Sequence, residues 1–115
     1  MKELKKNLTQ LTLPEFIKKD TIDYILVRKN IEVIIKLITK RKLTEQSLDK
    51  LYMYYLGNII YLSERTLVSE LRKIIFYLEF LIDKIIKELE VVEEYEACNN
   101  LLKFLKKITD YEYKE

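Results

Sequence analysis

The sequence predicts an all-α protein, a bundle of four or five helices with one long central helix at about residues 64–92. Helix-breaking residues are rare, because the 115 residues include one glycine, Gly57, and one proline, Pro14. Apolar residues recur every three or four positions along most of the chain, which places them on one face of a helix. Hydrophobic residues make up 49% of the chain and charged residues 35%, so we expect a single folded domain over 1–115.

The first third of the chain divides into an arm, a short helix and a full helix. Residues 1–12 are polar and predict a flexible arm. A capping box begins at Thr12, with Pro14 in the first turn, and predicts a short helix to about Lys19. Asp20 offers the next N-cap, and the helix after it ends near the basic residues 40–42. Its apolar stripe has alternating spacings of three and four: Tyr24, Val27, Ile31, Ile34 and Ile38.

The next helix begins after Thr44 as its N-cap. Its predicted stripe is Leu48, Leu51, Tyr55 and Ile59, with Tyr52 alongside. Gly57 and the β-branched run that follows it favour a break before Ser63, and residues 63–66 resemble a new N-cap. The pattern leaves open whether helices 45–62 and 64–92 are separate or continuous.

The long helix over 64–92 has a wide apolar face. Three columns of residues form it: Leu71, Leu78 and Ile85; Ile74 and Leu81; and Val68, Ile75, Ile82 and Leu89. Phe76 and Phe80 lie nearly opposite this face, so the helix is either surrounded within its own domain or in contact with a second chain. We therefore expect a homo-oligomer, most simply a dimer, with Phe76, Phe80 and Tyr54 as interface residues.

The last helix is expected from about Tyr95 to Lys107, with a frayed tail over 109–115. Its predicted inward residues are Leu101, Leu102, Leu105 and Ile108, and its predicted solvent-facing residues are Lys103, Lys106 and Lys107. Residues 88–108 resemble the UVR motif, a short helical hairpin. The part that carries the resemblance is the acidic-aromatic segment Glu93-Glu94-Tyr95-Glu96, which is followed by Ala97 and Cys98. The family continues with an Arg-Asp pair where this chain has Leu102-Lys103. The resemblance implies a turn near 93–95 and a role in protein–protein contact.

The charge distribution supports an alternative function. Residues 1–42 carry 11 basic and 5 acidic side chains, whereas residues 43–115 carry 10 and 14. The basic third predicts phosphate contacts, with its densest patch at Lys36, Lys40, Arg41 and Lys42. The alternative is therefore a nucleic-acid-binding accessory protein.

The residue inventory gives little support to catalysis. The chain has no histidine, which removes the commonest general base and metal ligand, and one glycine excludes the glycine-rich phosphate-binding loops. Its one cysteine, Cys98, lies among apolar positions and is expected to be a buried, inert thiol in a reducing compartment. We expect no cofactor, no metal, no membrane contact and a cytoplasmic location, since neither a leader peptide nor a spanning segment is evident.

The leading hypothesis is a small non-enzymatic helical protein that self-associates or docks on a protein partner as an adaptor, regulator or inhibitor. Glycine, alanine, proline and arginine are scarce, whereas lysine and isoleucine are frequent. This composition is typical of an AT-rich genome, and phages and plasmids are among the candidate sources.

Overall fold

A computed structural model describes the backbone of residues 22–114 and the side chains of residues 26–110. This part of the chain is all-helical and forms four helices. We number them α1 (Ile22–Thr39), α2 (Glu45–Ser63), α3 (Val68–Val91) and α4 (Tyr95–Lys114). The all-α prediction is confirmed, with four helices in the described range. The predicted arm, the short helix from Thr12 and the Asp20 cap lie outside the described residues.

The helices form two antiparallel hairpins, α1–α2 and α3–α4, which pack side by side. The two turns lie at the same end of the bundle, because residues from both of them line one shallow groove. α3 packs mainly against α4 and α1, and α2 packs against the same two helices. Although α3 is the longest described helix, its outer face carries exposed side chains, so within one chain it is a corner of the bundle.

The predicted stripes supply most of the core. From α1 and α2 they contribute buried residues at Val27, Ile31, Ile34, Ile38, Leu48, Leu51, Tyr55 and Ile59. In α3 the three columns are buried except Val68, which is exposed because it begins the helix beside the open α2–α3 connection. In α4 the prediction for Leu102 is wrong: its side chain is exposed, and Phe104 is buried instead. Leu102 points about 100° away from the buried Leu101, whereas Phe104 returns to the buried face.

Both hairpin turns use a non-glycine residue in the left-handed conformation. After α1, Arg41 has a φ of 56°, and the Lys42 N–H donates to the Leu37 carbonyl over 2.8 Å. After α3, Glu93 has a φ of 61°, and the Glu94 N–H donates to the Leu89 carbonyl over 3.0 Å. These are the bonds of a Schellman motif, which normally places glycine at the left-handed position. The turn that was expected near 93–95 is present.

The predicted break between Gly57 and Ser63 is wrong, because α2 runs without interruption from Glu45 to Ser63. Burial of Ile59 and Leu62 holds this segment in the helix despite its weak helix propensity. The connection to α3 is residues 64–67, and the N-cap of α3 is Leu67, which makes no side-chain capping bond. The predicted cap at residues 63–66 is therefore also wrong, and the two helices are separate.

The start of α2 agrees with the sequence, and its early turns are tied to α4. Thr44 forms a capping box with Ser47, whose backbone N–H donates to Thr44 Oγ1 over 3.1 Å. Across the α2–α4 seam, Lys107 Nζ pairs with Asp49 Oδ1 at 2.6 Å, and Lys103 pairs with Glu45. α4 extends to Lys114, so its predicted end near Lys107 is corrected.

Candidate protein interface

The outer face of α2 carries the densest group of exposed apolar side chains on one described helix. Four large residues lie on this face: Met53 is 68% exposed, Tyr54 47%, Ile60 55% and Tyr61 45%. We call these four residues, together with Gly57, the α2 face. Counted from Gly57, they lie at positions −4, −3, +3 and +4, so all four surround the glycine on the helix surface.

Gly57 leaves an open depression at the centre of the α2 face. A Cβ atom built on Gly57 would meet no atom within 4 Å outside the helix's own neighbouring backbone. A glycine inside an exposed helix destabilises that helix by about 1 kcal/mol relative to alanine. No packing among the described residues requires this glycine, since the space above it is empty and its backbone is helical.

The α2 face contains no charge. Residues 51–63 form the longest stretch of the chain without Asp, Glu, Lys or Arg, in a sequence in which charged residues make up 35%. The nearest charges in line with the face are Lys50 at one end and Glu64 at the other, seven positions from Gly57 in each direction. An exposed surface of this kind, apolar at its centre and charged at its rim, is typical of protein–protein contacts.

The C-terminal end of the α2 face is held by Arg65. Its guanidinium carbon lies 3.8 Å from the centre of the Tyr61 ring, and Nη1 donates to the Tyr61 carbonyl over 3.0 Å. Arg65 also pairs with Glu64 at 3.5 Å. The stacked guanidinium fixes the Tyr61 ring on the surface and leaves its outer side accessible.

Phe76 and Phe80 are exposed on α3, as the sequence predicts. Their exposures are 60% and 43%. Lys84 Nζ lies 4.8 Å from the centre of the Phe80 ring, and the ring of Phe76 meets Tyr77 edge-on at 5.8 Å. The sequence around them is charged, with Lys73, Asp83, Lys84 and Lys87 within two turns, so this apolar surface is smaller than the α2 face.

The predicted basic patch lies at the end of α1 and in the following turn. Lys36, Lys40, Arg41 and Lys42 are all exposed. Arg41 lines a groove of about 200 Å³ together with Glu94 and Glu96 from the start of the second hairpin. The fold therefore places the basic turn beside the acidic turn, a juxtaposition that lowers the attraction of this end for phosphates.

Cys98 is buried on α4, as predicted. Its Sγ donates to the Ile86 carbonyl over 3.5 Å. Burial, followed by the nearby carboxylates of Glu90 and Glu94, raises the pKa of the thiol, so the unreactive protonated form is favoured.

Among the residues whose placement is described, no three His, Cys, Asp or Glu side chains come together as a metal site. No helix in that same range has the length and apolar content needed to cross a membrane.

Sequence reasoning identified one member of the α2 face, Tyr54, and missed Met53, Gly57, Ile60 and Tyr61. Because residues 57–63 were interpreted as a break, the second half of α2 was not considered as part of an exposed helix face. The uncharged run 51–63 was the available signal, because a surface helix normally alternates apolar with charged positions.

Comparisons of the chain with protein-family models, curated proteins and solved structures found no match in any of the three.

Proposed function

We propose that this protein is a non-enzymatic docking module that binds a helix of a protein partner on the α2 face. The single observation that supports this function is an exposed, uncharged helix face with four large apolar side chains around an open glycine. The four side chains leave about 400 Å² exposed, taking about 200 Å² for a large side chain. That is the scale of an apolar surface patch with a binding role.

The shape of the α2 face fits a helix better than a loop or a small molecule. A partner helix can come close over a small residue, while larger side chains on either side of that residue pack against it. Here the small residue is Gly57, and the larger side chains are those of Met53, Tyr54, Ile60 and Tyr61. Tyrosine and methionine at such a surface supply large contact areas that adapt to the partner.

A site-specific photo-crosslinker tests this function in the cells that produce the protein. Placed at Ile60, it should give a protein adduct of discrete mass. Placed at Lys106, which is exposed on α4 and serves as the matched control, it should give none. Absence of any protein adduct at Ile60 would contradict the proposed function.

Phe76 and Phe80 supply a second candidate contact. If a partner covers these rings, α3 becomes the central helix of the resulting assembly, as its length and two apolar sides predict. The same crosslinker placed at Phe76 reports on this surface.

We also propose a cytoplasmic setting, in which the single buried thiol stays reduced.

The alternative, nucleic-acid binding, is supported by the exposure of Lys36, Lys40, Arg41 and Lys42. A mobility-shift titration in rising salt tests it, because phosphate contacts weaken steeply with ionic strength. Since Glu94 and Glu96 lie beside Arg41, we expect no salt-sensitive shift. A shift that Arg41→Glu abolishes would favour the alternative.

A further inference from the structure

We infer that the helix bound by the α2 face is α2 of a second copy of this chain, running antiparallel, with a two-fold axis beside Gly57. This inference rests on the proposed function and names its partner. The geometry and the charge of the α2 face each support it, and its size bears on the strength of the dimer.

The positions on the α2 face are symmetric about Gly57. Outward-facing residues occur at 50, 53, 54, 57, 60, 61 and 64, a spacing that reads the same in both directions. When two such helices pair antiparallel about residue 57, position 53 meets 61 of the other copy, and 54 meets 60. Each contact is therefore between two large exposed apolar residues, and each occurs twice, as a two-fold interface requires.

The charges at the rim complement each other only in the antiparallel arrangement. Lys50 and Glu64 are both exposed and lie seven residues from Gly57 on opposite sides. Across an antiparallel pair, Lys50 of each copy meets Glu64 of the other, which gives two opposite-charge contacts. A parallel pair would place lysine against lysine and glutamate against glutamate, and like charges disfavour such an arrangement.

Gly57 gives the two helices room to approach each other. On the two-fold axis a residue meets its own copy, so its side chain is the one that limits the separation of the helices. Gly57 has no Cβ, and the space above it is open in the single chain. Small residues at a helix crossing allow the two backbones to come close. An otherwise costly glycine in the middle of an exposed helix is thereby explained.

The size of the α2 face indicates a weak dimer. Two copies would bury about 800 Å² from the four large side chains, and the flanking residues add to this. Specific interfaces begin at about 1,000 Å² in total. We therefore expect a dimer that dissociates in the micromolar range.

Sedimentation equilibrium of the full chain over a range of concentrations tests the charge complementarity. Lys50→Glu and Glu64→Lys should each weaken dimerisation about tenfold, because each creates two like-charge contacts. The double variant Lys50→Glu/Glu64→Lys should restore it. Lys106→Glu, a reversal on the exposed side of α4, is the matched control and should leave the dimer unchanged.

Disulfide trapping tests the position of the axis. Gly57→Cys should form a covalent dimer under mild oxidation, because the two copies of residue 57 meet across the axis within disulfide range. Met53→Cys should not, because its two copies lie eight residues apart along the antiparallel helices, about 12 Å. Efficient trapping at both positions would indicate a parallel pair and overturn the inference. The native Cys98 is buried and does not compete.

Two further results would overturn the inference. One is a chain that stays monomeric at several hundred micromolar. The other is loss of the dimer in Phe76→Glu/Phe80→Glu, which would place the interface on α3. A monomeric chain that still gives a crosslinked adduct with a different protein at Ile60 would refute the second-copy partner and leave the proposed function standing. Circular dichroism of each variant confirms that the helices remain folded.

Discussion

Replacement of Gly57 by alanine should stabilise the single chain. The glycine is an exposed residue inside a 19-residue helix. Apart from its two chain neighbours and the backbone of its own helix, no atom lies within 4 Å of the position that a Cβ would take. The added methyl group therefore meets no steric obstacle. It also restricts the unfolded chain, whose extra freedom is what makes glycine a poor helix former.

The expected gain is about 1 kcal/mol in the free energy of unfolding, the measured difference between glycine and alanine in exposed helices. For a domain of this size, that corresponds to a rise of about 4 °C in the melting temperature. Gly57→Ser should give a smaller gain, because serine has a lower helix propensity than alanine. The series alanine, serine, glycine thus provides its own internal control.

Urea unfolding followed by circular dichroism measures the effect, and it should be done at a protein concentration well below the dissociation constant of the dimer, where the chain is monomeric. The midpoint should move to higher urea with no change in slope, since the surface exposed on unfolding is the same. A loss of stability in Gly57→Ala would refute the reasoning, because it would mean that residue 57 is not in a regular helix or that its surface is covered within the chain.

Three further predictions concern the core, the turns and the thiol. Leu78→Ala should cost about 2–5 kcal/mol in urea unfolding, because Leu78 is fully buried on α3; a cost below 1 kcal/mol would remove Leu78 from the core. Glu93→Gly should add about 0.5–1 kcal/mol by relieving the left-handed φ of 61°, whereas Glu93→Ala, which keeps a Cβ, should add nothing in the same assay. The raised pKa of Cys98 means that the folded state holds the thiol proton more tightly than the unfolded state. Stability should therefore fall as pH rises above the ordinary thiol pKa of 9.0 and on through the folded-state pKa. This part of the slope should be absent in Cys98→Ala, and an identical slope in both proteins would contradict it.

The core could be predicted from the sequence because its residues repeat with the helical period. Val27, Ile31 and Ile34 are separated by four and three positions, and all three are buried. The N-cap at Thr44 could also be predicted from the sequence, because the side-chain oxygen of a serine or threonine accepts a hydrogen bond from a free backbone N–H group in the first turn of a helix. In both cases the signal is local, and local interactions decide the outcome.

The continuity of α2 could not be predicted, because a distant contact decides it. The local preferences of Gly57, Asn58 and the β-branched residues after them oppose a helix. Burial of Ile59 and Leu62 against the other helices outweighs those preferences. Propensities differ by less than about 1 kcal/mol a residue, whereas burial of one large aliphatic side chain contributes about 1.5–3 kcal/mol. The α2 face was missed for this reason, since half of it lies beyond the expected break.

The arrangement of the bundle as two hairpins has a consequence for the order in which it forms. Within each hairpin the two helices are joined by a turn of a few residues, so each pair of helices can meet quickly. The seam between α2 and α4 instead joins residues 58 positions apart, as in the Lys107–Asp49 and Lys103–Glu45 pairs. Closing such a long loop costs entropy before any contact compensates for it. We therefore expect the hairpins to be largely formed in the folding transition state and the α2–α4 seam to close late, so that weakening the seam accelerates unfolding and leaves the folding rate nearly unchanged.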